Sequence, residues 1–301
     1  PAWLVPHFEQ MLYDNALLVP AYLEAYQVTG REDFADVVRD ILRYVERDMT
    51  APGGAFYSAT DADSQGPDGE RKEGLFFTWT PDEIAAVLDA EQARAVVAYF
   101  GVTDAGNFEG RTILHTPRSW RDVAAELGLS DASLRRTVGA AREQLYAARA
   151  TRRAPLRDDK ILTAWNGLMI SALAQAALVL DEPVYAARAA RAADYLLRTL
   201  RRGDRLLRAA LGGAARQTAY LDDYAFLIAG LLDLYEADGD LRWLEEARAL
   251  DAVLERDYED TSGGGFFRTA ADQVSLLTRE KPTYDAAEPS GNSVAVHNLL
   301  R

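Results

Sequence analysis

Thr163-Ala-Trp-Asn-Gly-Leu-Met-Ile-Ser-Ala-Leu-Ala-Gln-Ala-Ala-Leu-Val-Leu180 carries no charged residue over eighteen positions. It ends at Asp181-Glu182-Pro183, and a second periodicity begins there: Tyr185, Ala189, Ala192, Leu196 and Leu200 form one apolar stripe among polar residues. A helix apolar on every side is buried on every side, whereas a helix with one apolar stripe keeps one wet face. The segment therefore reads as an inner helix followed by an outer one. The same pair occurs before it and after it. Met11 to Tyr26 is apolar nearly all round and precedes a stripe of Phe34, Val37, Val38, Ile41, Leu42 and Val45. Tyr224 to Tyr235 precedes a stripe of Trp243, Ala247, Leu250, Leu254 and Tyr258. The turns between partners, Thr29-Gly30-Arg31 and Asp238-Gly239-Asp240, offer Gly for a left-handed helix end and Asp or Thr for the next cap.

The pairs repeat in a second way. Gly53-Gly54-Ala55-Phe56-Tyr57 follows the first pair, and Gly263-Gly264-Gly265-Phe266-Phe267 follows the third at a similar separation. Hairpins that cannot bury their own apolar faces stack on one another. The expectation is an all-α fold: an α/α toroid of the six-hairpin barrel type, residues 1–301, with a small β-containing insertion around residues 67–118. Pro1-Ala2-Trp3 and the unterminated helix pattern of Val294 to Arg301 lead to the further expectation that the barrel is incomplete at both ends. Within the less regular stretch, Leu75 to Trp79 and Phe108 to Leu114 read as short strands. Pro81 to Phe100, Ser119 to Leu127 and Ser130 to Arg149 read as helices, the last two opened by Ser caps.

The net charge of −14 repels phosphate backbones and anionic lipid, so neither nucleic acid nor membrane is the expected partner. The longest apolar stretches are interrupted by Asp, Asn or Gln, short of the roughly 20 residues of a span. No cysteine is present. A thiol nucleophile, thiolate metal ligation and a C-x-x-C motif are thereby excluded from this chain. A reducing, cytoplasmic compartment is compatible with that usage and is the expected location. No histidine pair has metal-binding helical spacing, and Asp61, Asp63, Gln65 and Gly66 open like a calcium loop whose twelfth position is Lys72 rather than Glu. Neither a metal nor a cofactor is expected.

In a helical toroid the loops at one rim lead into the inner helices and carry function. The rim candidates are residues 3–15, 57–66, 158–166, 220–224 and 284–292. Carboxylates recur there, as acid–base chemistry on sugars requires. Asp61, Asp63, Asp159, Asp222 and Asp223 are the acid–base candidates, each weighed against an ordinary capping role. His7, at a loop-to-helix junction, is the candidate base for an epimerisation. Trp165 and Tyr224 offer flat faces for sugar rings, and Tyr13, Asp14, Asn15, Asn166, Glu288 and Asn292 complete the candidate binding set. His115 is expected at the surface and His297 in the core or beside the site.

Several long segments together resemble one family. They are Val5-Pro6-His7-Phe8-Glu9-Gln10-Met11-Leu12-Tyr13-Asp14-Asn15-Ala16, Phe56 to Ser64, Asp158 to Gly167, Tyr220-Leu221-Asp222-Asp223-Tyr224-Ala225 and Pro289-Ser290-Gly291-Asn292-Ser293. In that order they are similar to the YyaL / spermatogenesis-associated thioredoxin-like family. The resemblance implies an N-terminal thioredoxin-like domain joined to an α/α six-hairpin barrel, of which this chain resembles the barrel alone. It also implies likeness to N-acylglucosamine 2-epimerases and six-hairpin glycosidases, and carbohydrate metabolism as a broad class. The implied partners are a small sugar-like ligand and the thioredoxin-like domain of the full-length protein. The competing expectation is a non-catalytic scaffold that holds a peptide or that domain.

Overall fold

The computed structural model describes residues 5–66, 68–273 and 277–301. Trp3, at the start of the first rim candidate, and Pro67, at the edge of the expected insertion, lie outside the described residues. The helices in chain order are α1 (Leu12–Thr29), α2 (Glu32–Tyr44), α3 (Pro81–Val87), α4 (Ala90–Phe100), α5 (Trp120–Leu127), α6 (Asp131–Arg149), α7 (Thr163–Leu180), α8 (Pro183–Thr199), α9 (Leu221–Asp238), α10 (Leu241–Tyr258) and α11 (Gly291–Leu299). The chain divides into two compact units. Residues 5–9 join Thr60–Leu156 in the first, and Gln10–Ala59 joins Arg157–Arg301 in the second.

The second unit contains the alternating pairs. Helices α1, α7, α9 and α11 pack side by side in a row, and α2, α8 and α10 back the first three of them in turn. Helices α7 and α9 are buried on nearly every side, as their sequences predict. They approach closely because glycines face each other. A Cβ on Gly167 would lie 2.6 Å from the backbone of Phe226 and Leu227, and one on Gly230 would lie 2.6 Å from the Gly167 carbonyl. Helix α7 is long and apolar enough to cross a membrane by length and composition, but α1, α8 and α9 pack around it. Helix α1 departs from the expectation of all-round burial. Leu12, Ala16, Val19 and Leu23 form a single buried stripe, while Leu18 and Val28 are exposed. The reason is position: α1 sits at one end of the row, and α11 at the other.

The turns follow the predicted chemistry. Gly30 and Gly239 end α1 and α9 in the left-handed conformation, and the Asp240 side chain caps α10. A hairpin that the helical pattern does not announce joins α8 to α9. Its strands, Arg205–Leu211 and Ala214–Thr218, turn at Gly212-Gly213, where both φ angles are positive as a tight two-residue turn requires.

The first unit holds α3 to α6 over two small cores. One gathers Trp79, Ile84, Leu88, Val96 and Leu145; the other gathers Tyr99, Val123, Leu134 and Val138. An antiparallel hairpin pairs Asp63–Gln65 with Arg71–Glu73. Ser119 and Ser130 cap α5 and α6 as expected. Two expectations fail here. The helix read over Pro81 to Phe100 breaks at Leu88-Asp89, because the Asp89 side chain accepts from the Gln92 N–H and starts α4 with a capping box. The strand read over Leu75 to Trp79 is a turn, because the Arg152 guanidinium takes up the carbonyls of Leu75, Phe76 and Thr78. Only isolated bridges, Trp79 with Thr112 and Phe108 with Arg111, remain of the two strands.

Candidate functional site

The N-termini of the four inner helices of the second unit meet. The Tyr13 ring at the start of α1 lies 5.0 Å from the Trp165 ring at the start of α7. The Asp223 Oδ1 at the start of α9 accepts from the Ala164 N–H of α7 at 3.0 Å. A Cβ on Gly291, the first residue of α11, would lie 2.4 Å from the Asp222 Oδ1 of α9. That position requires glycine if the Gly291 N–H is to reach the carboxylate.

Around this junction stand two partly buried carboxylates. The Trp165 indole N–H donates to the Glu288 Oε2 at 2.9 Å. Burial raises the Glu288 carboxyl above its ordinary range. The indole N–H and the Arg208 guanidinium oppose that shift, and the negative charges of Asp222 and Asp14 reinforce it. Burial likewise raises Asp222, against the fields of Arg268 and Arg208 and the Gly291 N–H. Arg208 extends from the hairpin strand Arg205–Leu211, over the Tyr220 ring at 4.7 Å. Helical periodicity is silent about that hairpin, so sequence reasoning missed Arg208. The Gly212-Gly213 turn was the signal that could have exposed it.

Asp223 is different. It is 1% exposed, and its two oxygens accept from the Ala164 and Tyr220 N–H groups, with Arg208 at 3.6 Å. Burial pushes its carboxyl up to about 7 despite those donors. It ties the starts of α7 and α9 together.

The structure thus brings together Tyr13, Asp14, Trp165, Asp222, Asp223 and Glu288. It spends other predicted residues on the fold. Tyr224, expected to face a sugar, is fully buried and its hydroxyl accepts from the Leu206 N–H. Asn166 is fully buried; its amide accepts from the Phe56 N–H and donates to the Phe56 and Leu162 carbonyls. Asn292 makes the same clamp on Phe266, with Pro282 as its third partner. The two clamped phenylalanines end the two Gly-Gly-x-Phe repeats, where x is Ala55 or Gly265. Asn15 donates to the Met11 carbonyl one turn back. Asp159 is exposed and paired with Arg157 at 2.6 Å.

His7, Asp61 and Asp63 belong to the first unit. His7 is exposed, 3.7 Å from Glu9. Asp61 accepts from the Asp63 N–H and from Arg71 at 2.6 Å, which hold its carboxyl below the ordinary range; Arg71 lies 3.8 Å from Asp63. Those are turn and hairpin contacts. His115 is half-buried beside Asn107, and His297 is exposed rather than in the core.

No protein-family profile matches the chain. Spermatogenesis-associated protein 20 of Homo sapiens is 38% identical over 330 residues, covering 99% of this chain and 42% of that protein. The Rattus norvegicus protein of that name is 37% identical with the same coverage. An uncharacterized protein of Caenorhabditis elegans is 32% identical, covering 99% of this chain and 44% of its own length. The chain spans about two fifths of these relatives. Among solved structures, a polysaccharide lyase gives a TM-score of 0.49 at 11% identity, over 99% of this chain and 60% of that one. A sugar epimerase from a ruminal bacterium gives 0.40 at 12%, over 98% and 88%.

Proposed function

We propose that this chain, homologous along its length to part of Spermatogenesis-associated protein 20, binds a carbohydrate where its inner helices begin and acts on it by acid–base catalysis. The observation that carries the reading is the Trp165–Glu288 pair. An aromatic face beside Tyr13 is hydrogen-bonded to a carboxyl that burial has raised, with a second raised carboxyl, Asp222, in its field. Sugar rings pack on flat apolar faces, and pairs of carboxyls in unlike environments divide the acid and base roles. The environments here differ in charge. Glu288 feels two negative neighbours, Asp222 and Asp14, against one guanidinium and the Trp165 N–H; Asp222 feels one negative neighbour, Glu280, against two guanidiniums and the Gly291 N–H. Glu288, hydrogen-bonded to the indole and facing the larger negative field, is assigned the proton donor, and Asp222, between two guanidiniums, the base. Arg208 holds the charge of the group while either proton moves. Epimerisation and glycoside hydrolysis both fit that division of labour.

The reading extends to the fold. The row of inner helices with its backing helices forms part of an α/α toroid, whose rim is this junction of N-termini.

The test is a panel of neutral and amino sugars followed by calorimetry. At least one sugar should bind at millimolar or better affinity, and Trp165→Ala should abolish the heat. Glu288→Gln and Asp222→Asn should retain binding and lose turnover. A panel without any binder, or binding untouched by Trp165→Ala, defeats the proposal.

A further inference from the structure

Net charge makes one cavity of the first unit conspicuous. In a chain of net charge −14, a cavity of about 290 Å³ is lined by Arg111, Arg152 and Arg153 against one carboxylate, Glu83. That carboxylate is already oversubscribed: its Oε2 accepts from the Thr80 N–H, from Arg111 at 2.6 Å and from Arg152 at 3.2 Å. Asp68, next to the lining, is paired with Lys72 at 3.0 Å. The positive excess is held under cover. The Arg111 and Arg152 side chains are each only 21% exposed, and burial together with the Arg111 and Arg149 guanidiniums holds Arg152 below its ordinary range, against Glu83. Glu83 and the carbonyls of Leu75, Phe76 and Thr78 offset part of this crowding, and an anion in the cavity would relieve the remainder.

A second observation falls on the same cavity. Ser64, which lines it, is 3% exposed, and its buried hydroxyl has no hydrogen-bond partner among the described residues. A buried hydroxyl without a partner costs free energy that a ligand oxygen would restore. Leu75 and Phe76 give the cavity an apolar side.

We infer that this cavity is a binding site for a small phosphate monoester. Its phosphoryl oxygens would take N–H donors from the guanidiniums and the Ser64 hydroxyl, and its organic part would lie against Leu75 and Phe76. Donors converging from several backbone positions suit a tetrahedral oxyanion better than a planar carboxylate, and guanidinium forks bind phosphate strongly.

Calorimetry with inorganic phosphate, glycerol 3-phosphate, glycerol and citrate tests this. Glycerol 3-phosphate should bind, more weakly as salt rises, and better than citrate or glycerol. Arg153→Gln, at an exposed position where the guanidinium donates to the Gln65 amide oxygen, should weaken it roughly tenfold, as expected for one charge-assisted donor. Ser64→Ala should weaken it several-fold, whereas Trp165→Ala should leave it unchanged. Circular dichroism establishes that each variant is folded. The inference is overturned if neither phosphate compound binds at about 10 mM. It is equally overturned if citrate binds more tightly, or if folded Arg153→Gln and Ser64→Ala bind glycerol 3-phosphate as the parent does.

Discussion

The start of α7 and the start of α11 carry the same device in different surroundings. In each, an asparagine grips both backbone groups of the phenylalanine that ends a Gly-Gly-x-Phe segment, and thereby ties the returning loop to an inner helix. At α7 the asparagine is fully buried, and the neighbouring Thr163 hydroxyl is spent on the Leu207 carbonyl. At α11 the asparagine is half-buried, and beside it Glu288 and Asp222 retain raised carboxyls facing Trp165 and Arg208. Residue type does not separate a structural polar group from a functional candidate. Burial together with a full set of backbone partners does.

The largest expected effect comes from the buried clamp. Asn166→Ala leaves the Phe56 N–H and carbonyl without their side-chain partner inside the core, and should cost about 3 kcal/mol. Chemical denaturation checks this, with a fall in midpoint at unchanged slope. Asn292→Ala, where water can replace the lost partners, should cost about 1–2 kcal/mol by the same measurement. Equal losses would erase the distinction between the two helix starts.

Asp223 sharpens the comparison through pH. Its folded carboxyl titrates at about 7, above the unfolded value near 4. The folded state therefore binds the extra proton, so this group's stabilisation is full below about pH 4 and lost as pH rises through 7. Melting temperature should fall between pH 5 and pH 8, and the fall should shrink in Asp223→Asn. A carboxyl carbon resonance assigned to Asp223 and titrating near 4 would contradict this.

Gly291→Ala is expected to act more narrowly. The added methyl would force the Asp222 carboxylate away from the Gly291 N–H. Loss of that donor should raise the Asp222 midpoint further, with a destabilisation of about 1 kcal/mol. The shift is readable by carboxyl NMR.

Much of the second unit was legible in the sequence because its signal is burial itself. Helices α7 and α9 are apolar all round and lie between neighbours, and the paired Gly-Gly-x-Phe segments end on equivalent clamps. Helix α1 has nearly the same composition yet shows one buried stripe, because composition does not encode a place at the end of a row. In the first unit, Asp89 starts a new helix inside an apolar pattern, and Arg152 turns a β-like run into a turn from 74 or more residues away. Such long-range captures leave no periodicity. The candidate site was partly legible for the same reason. Trp165, Asp222 and Glu288 stand where inner helices begin, whereas Arg208 arrives on a hairpin, and Asn166, Asn292 and Tyr224 look functional until their partners are known.

The indole N–H resonance of Trp165 reports most directly on the central claim, because its proton joins the edge of the aromatic ring to Glu288. In an ¹⁵N-resolved titration with a sugar from the binding panel, that resonance should move saturably. Without ligand it should shift with pH at a midpoint above the ordinary glutamate range, and Glu288→Gln should abolish the pH shift. A Trp165 resonance indifferent to every sugar, or one that follows an ordinary glutamate midpoint, would contradict the account.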